Sequence, residues 1–313
     1  MAKKTTAAAP TTVAEQLKDA FKLRPTNFKM EDLIWRYVIR SVMRGDTMLL
    51  RGPSGCGKTK TAYAAAAALQ RQLFVFNMGA TQDSRGALIG NTHYDPARGT
   101  YVAESEFLRA IQTPNAIILL DEISRAHPDA SNILMTVLDK EQRYLRLDEK
   151  PGAPMVHVHP SVCFFLTANV GAEYTGTRTI DRALYDRAKI IDVEPLSADE
   201  EYNLLAERYT DVDKDILRAV ADIAGETRLE VKADSPKVET IISTRVTLEI
   251  AELLRDGFSL EEAAKICIYP LYSDDGGLES ARSHVLKLVQ KYVSMTPSGA
   301  SPVTQGGDDS PPW

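Results

Sequence analysis

A glycine-rich segment at residues 52–59 restricts the chain to a small set of folds. It reads Gly-Pro-Ser-Gly-Cys-Gly-Lys-Thr and matches the pattern GxxxxGK[ST]. An apolar run at residues 47–50 precedes it, and an alanine-rich run at residues 58–70, which predicts a helix, follows it. Glycines at these positions let successive backbone N–H groups turn towards one phosphate, and the helix N-terminus adds positive dipole. The segment therefore predicts a strand, a phosphate-binding loop and a helix.

Two side chains at the end of this loop carry chemistry. Lys58 is expected to reach the β- and γ-phosphate oxygens, and the Thr59 hydroxyl to ligate Mg²⁺. The guanine-specific pattern Asn-Lys-x-Asp does not occur in the sequence, which favours ATP as the nucleotide. Cys56 is interpreted as a small filler residue rather than a redox sensor. The predicted nucleotide-binding residues are Gly52, Pro53, Ser54, Gly55, Cys56, Gly57, Lys58, Thr59, Lys60 and Asp121.

A second apolar run ends in two carboxylates, Asp121 and Glu122. Residues 116–120 read Ala-Ile-Ile-Leu-Leu and predict a buried strand, and Asp121 follows it 62 residues after Thr59. Ligands of open α/β sheets bind at the carboxyl ends of the strands. We therefore expect Asp121 to hold Mg²⁺ through water, together with Thr59, and Glu122 to orient and polarise the attacking water.

Polar residues after two further segments are candidates for the same site. Residues 162–167 predict a third buried strand, and Asn169 follows it, where it could contact the γ-phosphate or the attacking water. Arg245 follows Ser243 and Thr244 at the predicted start of a helix. An arginine in a first helical turn opposes the helix dipole, which indicates an anionic partner for Arg245.

Two arginines between these segments have no assignable role from the residues alone. Arg182 follows Asp181, and Arg187 follows Asp186. A cation on the γ-phosphate raises the rate of phosphoryl transfer, and either arginine could supply it. Ordinary surface ion pairs with the neighbouring aspartates are the alternative.

The order of apolar segments predicts two domains between two tails. Strands predicted at residues 47–50, 73–76, 116–120 and 162–167 alternate with helices near 58–70, 103–112 and 128–140, which indicates a parallel sheet with crossovers. From residue 197 the pattern is helical, and capping boxes are predicted at Ser197 and Ser259. The predicted divisions are a tail at residues 1–20, an α/β core at 21–196, a helical lid at 197–293 and a second tail at 294–313.

Taken together, these segments resemble the AAA+ ATPases, and specifically their MoxR-type branch, which includes the cobaltochelatase small subunit and the CbbQ/NorQ-type activators. The likeness covers about residues 25–293 in the order of the family. The segments that carry it are Gly52-Pro-Ser-Gly-Cys-Gly-Lys-Thr59, Leu120-Asp-Glu-Ile-Ser-Arg-Ala126, Thr167-Ala-Asn169, Ala183-Leu-Tyr-Asp-Arg187 and Ser243-Thr-Arg245.

The resemblance implies a parallel-sheet P-loop core with hairpin insertions, a helical lid and assembly into a ring, usually a hexamer, with active sites between subunits. By this resemblance, Asn169 corresponds to the sensor 1 residue of the family and Arg245 to its sensor 2 residue. Arg187 is similar to the arginine finger that faces a neighbouring subunit, with Arg182 as the reserve candidate. Arg125 is expected to face the adjacent protomer.

Two segments between the motifs are similar to the hairpin insertions of the family. The first covers residues 86–101, and the second covers residues 143–159, where the side chains alternate around a Lys-Pro-Gly turn. Such insertions would line the channel of the ring and contact partners. The alternative is that the two segments are surface loops with no special role.

The leading function from the resemblance is an ATP-driven motor that remodels, activates or inserts metal into a protein partner. No Asp-x-Ser-x-Ser motif occurs, so a von Willebrand A domain is expected on a separate polypeptide. A small-molecule kinase would not need Asn169, Arg187 and Arg245 in this order. The client itself is not identified by the sequence.

Charge and composition bear on the remaining alternative, a nucleic-acid translocase or helicase loader on the same fold. The chain of 313 residues has a formal net charge of −6, which is unfavourable for coating nucleic acid. Around the first insertion, Arg85 and Arg98 are offset by Asp83, Asp95 and Glu104. Three scattered cysteines and the lack of a long apolar segment predict a cytoplasmic protein that does not contact membranes.

Overall fold

The computed structural model describes residues 13–80, 83–97, 99–148, 150, 152–169 and 181–294. The chain divides into two compact units, Met1–Leu196 and Ser197–Trp313. No helix in the described ranges has the length and apolar character that spanning a membrane requires.

The N-terminal unit alternates helices and strands, as expected from its apolar pattern. Its helices and strands, in chain order, are α1 (Val13–Ala20), α2 (Asp32–Met43), β1 (Thr47–Gly52), α3 (Lys58–Leu69), β2 (Leu73–Asn77), α4 (Ser84–Leu88), β3 (Gly90–Asp95), β4 (Gly99–Glu104), α5 (Glu106–Gln112), β5 (Ile117–Asp121), α6 (Pro128–Leu138), β6 (Tyr144–Arg146), β7 (Met155–His157), β8 (Cys163–Asn169), α7 (Arg182–Arg187) and β9 (Lys189–Asp192).

Five of these strands form one parallel sheet in the order β2-β5-β8-β1-β9. The register pairs Gly52 with Asn169 and Asn77 with Asp121. The carboxyl ends of β1, β2, β5 and β8 therefore meet at one edge, where such sheets bind ligands. This arrangement confirms the predicted α/β P-loop core.

Helices cover both faces of the sheet, and the central strands β5 and β8 are apolar over most of their length. In β8, Phe164 packs into one core cluster with α5 and α6, and Phe165 packs into the other with α2 and α3. Both phenylalanines are fully buried. Near-continuous apolar strands of this kind are typical of parallel sheets that are buried on two sides.

Two antiparallel hairpins interrupt this alternation at the two predicted insertions. Strands β3 and β4 pair between α4 and α5, and strands β6 and β7 pair between α6 and β8. Lys150, between β6 and β7, donates to Glu104 at the end of β4 over 2.7 Å. This ion pair joins the two hairpins to each other.

Three features of the N-terminal unit differ from the sequence-based expectations. The tail predicted for residues 1–20 is wrong over Val13–Ala20, which forms α1, because Leu17 and Ala20 pack into the apolar cluster that also contains Trp35. The helix expected near 103–112 begins only at Glu106, since β4 continues to Glu104. Strand β9 was not expected. Residues 1–12 and 295–313, which include most of both predicted tails, lie outside the described residues.

The C-terminal unit is helical throughout its described part. The capping boxes at Ser197 with Glu200 and at Ser259 with Glu262 are confirmed. Apolar side chains from the helices, among them Leu205, form a single core cluster. Its helices are α8 (Ala198–Arg208), α9 (Lys214–Glu230), α10 (Thr244–Arg255), α11 (Leu260–Cys267) and α12 (Ala281–Val293).

Candidate nucleotide-binding site

The glycine-rich loop connects the end of β1 to the start of α3. A Cβ atom on Gly52 would lie 2.2 Å from the carbonyl oxygen of Val193, so only glycine fits this close approach. Gly57, directly before α3, has a left-handed φ of 98°, and a Cβ atom there would meet nothing within 4 Å. The loop therefore has an open side at a helix N-terminus, which is the geometry that binds phosphate.

The lysine of the loop is buried, with 7% of its surface exposed. Lys58 Nζ donates to the carbonyl oxygens of Gly52 over 2.9 Å and Pro53 over 2.6 Å. The ammonium group therefore lies inside the loop. Burial raises the pKa of the Cys56 thiol although Lys58 opposes the shift, which disfavours the reactive thiolate. Lys60 is exposed on α3.

The strand that leads into the loop is tied to the edge strand β9. Arg51 forms a two-point ion pair with Asp192, and its second hydrogen bond, from Nη2 to Oδ2, is 3.1 Å long. The hydrogen bond and the charge of Arg51 lower the pKa of Asp192. This pair holds β1 and β9 in register beside the loop.

The Asp121 carboxylate at the end of β5 receives two hydroxyl groups. Thr59 Oγ1 lies 3.1 Å from Oδ1 and 3.3 Å from Oδ2, and Thr167 Oγ1 also donates to Oδ1. Hydroxyl and carboxylate oxygens are the donor set that Mg²⁺ prefers, with phosphate oxygens and water in its other positions. Thr59 and Asp121, predicted as the metal-holding pair, thus lie in contact and fit a magnesium ion.

Glu122, the next residue, adopts a left-handed backbone conformation with φ 57°. Its N–H donates to Thr167 Oγ1 over 3.0 Å. Its carboxylate lies beside Gly79, where an added Cβ would come within 2.6 Å of Glu122 Oε2. Arg125 Nη1 is 3.9 Å from the same oxygen. Arg125, expected to face a neighbouring protomer, therefore lies beside Glu122 of its own chain.

Sequence reasoning placed Asn169 at this edge but missed two residues that shape it, Thr167 and Asn77. Asn169 is half-buried at the end of β8, opposite Gly52. Thr167 lies two residues earlier, and side chains two apart on a strand share one face, so this spacing was a signal that could have identified it. The side chain of Asn77 accepts from the backbone N–H groups of Gly79 and Ala80 and shapes the turn beside Glu122.

The two candidate finger arginines lie in different environments. Arg187 Nε lies 3.1 Å from the Met135 carbonyl oxygen and 3.2 Å from Asp139 Oδ2, and Nη1 donates to Ala183. Arg187 is therefore bound to α6 of its own chain rather than to Asp186. Arg182 is exposed, and it has no hydrogen bond or ion pair in the part of the chain that the structure describes.

Arg245 lies in the C-terminal unit, exposed on the first turn of α10. Ser243 is at the N-cap position, but its side chain makes no capping hydrogen bond. A buried network holds this turn instead. Glu201, which is fully buried, accepts hydrogen bonds from Arg228 and from the hydroxyl groups of Thr244 and Thr247.

Comparison with known proteins places both units in described domain families. The AAA domain of the dynein-related subfamily matches residues 47–188, and the CbbQ/NirQ/NorQ C-terminal domain matches residues 194–289. A protein of Thauera aromatica named "Putative chaperone BssE" is 33% identical over 217 residues, which cover 69% of this chain and 72% of that protein.

Mitochondrial Lon protease homologues are also similar. Those of Aspergillus fumigatus and Homo sapiens are 30% and 32% identical over 72% and 60% of this chain. The matched region spans only 19% and 20% of those much longer proteins.

Proposed function

Because the chain belongs to the MoxR-type branch of the AAA+ ATPases, we propose that it is an ATP-hydrolysing ring motor that remodels or activates a protein partner. The observation that carries this proposal is the group formed by Lys58, Thr59, Asp121 and Glu122 at one edge of the sheet. Phosphate binding, metal binding and activation of water each have a residue of suitable chemistry there.

In the proposed reaction, Lys58 turns from the loop carbonyl groups to the β- and γ-phosphate oxygens of ATP. Thr59 and Asp121 would hold Mg²⁺, and a bound Mg²⁺ would supply positive charge to the phosphates. Glu122 accepts a proton from water, and the water oxygen forms a bond to the γ-phosphorus as the bond to the ADP oxygen breaks. Asn169 orients the same water or the γ-phosphate.

A complete site is proposed to need a second subunit. Arg187, or Arg182 in its place, supplies a cation to the γ-phosphate across the interface of a hexameric ring. Arg187 must leave Asp139 and α6 to do so, whereas Arg182 is already exposed. Arg245 of the helical unit is proposed to bind the nucleotide as sensor 2.

The client is proposed to be a protein. The match to the CbbQ/NirQ/NorQ C-terminal domain and the name of the Thauera aromatica relative support this class. The two joined hairpins are proposed to contact the client. A separate protein with a von Willebrand A domain is proposed to act together with this chain. Insertion of a metal into the client is one form that the activity could take. The three cysteines are free thiols, which supports the cytoplasm as the proposed compartment.

A Glu122→Gln variant tests this proposal. It should bind ATP like the native chain but release phosphate at least about 100-fold more slowly, because the amide cannot accept the proton. In ATP it should also retain the client in a pull-down. Glu106→Gln, which changes an exposed glutamate on α5 that forms an ion pair with Arg109, is the matched control. A near-normal rate of phosphate release by Glu122→Gln would contradict the proposed role.

A further inference from the structure

The hydroxyl group of Thr167 contacts both acidic residues of the site. It donates to Asp121 Oδ1, and it accepts the backbone N–H of Glu122 over 3.0 Å. Thr167 is 2% exposed, so solvent does not replace either bond. A hydroxyl has one hydrogen and two lone pairs, and here the single hydrogen is used by Asp121 and a lone pair by Glu122.

The bond to Glu122 acts on a residue whose backbone is strained. A left-handed conformation costs a non-glycine residue on the order of 1 kcal/mol. In this conformation the Glu122 carboxylate lies against Gly79, where little space remains. An acceptor for the Glu122 N–H stabilises this conformation, and Thr167 Oγ1 is that acceptor.

The bond to Asp121 acts together with the bond from Thr59. One hydroxyl comes from the helix after the phosphate loop, and the other comes from the neighbouring strand β8. A carboxylate that accepts from two separate elements has its plane fixed. The hydroxyl oxygen of Thr167 thus orients both the Asp121 carboxylate and the backbone of Glu122.

We propose that Thr167 is a positioning residue for ATP hydrolysis, which aligns Asp121 with the metal and Glu122 with the attacking water. This inference rests on the proposed function of the site. Apolar packing alone is the competing explanation, since Thr167 is buried in β8. The two explanations differ in what valine does there, because valine keeps the shape and burial of threonine but lacks the hydroxyl.

The experiment compares Thr167→Val and Thr167→Ser with the native chain. We expect Thr167→Val to lower kcat about 10- to 100-fold with KM for ATP changed less than about 3-fold. The Mg²⁺ concentration that gives half-maximal rate should rise, because Asp121 loses one of its two orienting bonds. Thr167→Ser restores the hydroxyl and should keep kcat within about 3-fold of the native value. Thermal unfolding midpoints show whether each variant is folded.

A matched control is available at the opposite edge of the same sheet. Thr47 is also buried, with its hydroxyl 3.4 Å from the Leu138 carbonyl oxygen. Thr47 is the first residue of β1, at the end of the strand that lies away from the phosphate loop. Thr47→Val removes a buried hydroxyl there and should leave kcat and the Mg²⁺ requirement unchanged.

Two outcomes separate the inference from the proposed function. If Glu122→Gln loses turnover while folded Thr167→Val keeps native kcat and Mg²⁺ dependence, the positioning role of Thr167 is wrong and the proposed site stands. If Glu122→Gln keeps native turnover, the proposed site itself is wrong. Equal losses in Thr167→Val and Thr167→Ser would also contradict the positioning role, since only one of them lacks the hydroxyl.

Discussion

Replacing Gly79 by alanine tests the position of the Glu122 carboxylate with a single added atom. The new Cβ would lie 2.6 Å from Glu122 Oε2 and 3.3 Å from the Cβ of Arg125. To restore an ordinary contact, the carboxylate must move by about 0.8 Å, and a misplacement of about 1 Å in a reacting group costs up to about 100-fold in rate. We therefore expect kcat to fall about 10- to 100-fold, which is about 1.4–2.7 kcal/mol of activation free energy.

The assay is steady-state phosphate release at saturating MgATP, together with equilibrium ATP binding. Gly79 is exposed and does not have a positive φ, so alanine should change the free energy of unfolding by less than about 0.5 kcal/mol. ATP affinity should be retained, because the phosphate loop is not altered. Ala80→Ser, which enlarges the next residue, is the control. Native turnover by folded Gly79→Ala would refute the placement of Glu122 against this turn.

Two further predictions concern the proposed subunit interface and the helical unit. Mixing Arg187→Ala subunits with Lys58→Ala subunits should recover part of the phosphate release that each variant lacks alone; no recovery at any ratio would show that Arg187 does not act across subunits. Glu201→Ala removes the carboxylate that pairs with the buried Arg228. It should lower the free energy of unfolding of the C-terminal unit by about 3–5 kcal/mol. Urea titrations followed by circular dichroism measure this change. Glu261→Ala removes an exposed ion pair on α11 and should leave the urea midpoint nearly unchanged. Equal shifts of the midpoint in Glu201→Ala and Glu261→Ala would contradict this account of the buried network.

The parts of the site that the sequence predicted are encoded within single short segments. The loop at residues 52–59 and the apolar strand before Asp121 are recognisable because glycine spacing and apolar runs act locally. The capping boxes of α8 and α11 are local in the same way, since each involves residues three positions apart. Strand order was predicted only as a parallel sheet with crossovers, and the structure adds the register that brings Gly52 opposite Asn169.

The parts that the sequence did not predict depend on contacts between distant segments. Thr167 and Asp121 are 46 residues apart, and nothing in either segment indicates that one hydroxyl serves both Asp121 and Glu122. An ion pair of Arg187 with the adjacent Asp186 was one of two alternatives from the sequence, but tertiary packing against α6 gives Arg187 Asp139 as its partner. Helix α1 lies in a segment of ordinary composition, and it packs into the apolar cluster that also contains Trp35.

The most direct test of the central claim is magnesium-dependent ATP binding and turnover by the purified native chain and its Lys58→Ala variant. The proposed site predicts that the native chain binds ATP and releases phosphate only with Mg²⁺, with a rate per subunit that rises with protein concentration as rings form. Lys58→Ala should do neither, because the phosphates lose their buried cation. Tight MgATP binding by Lys58→Ala, or a native chain that stays monomeric and inactive towards ATP with every client tried, would contradict the account.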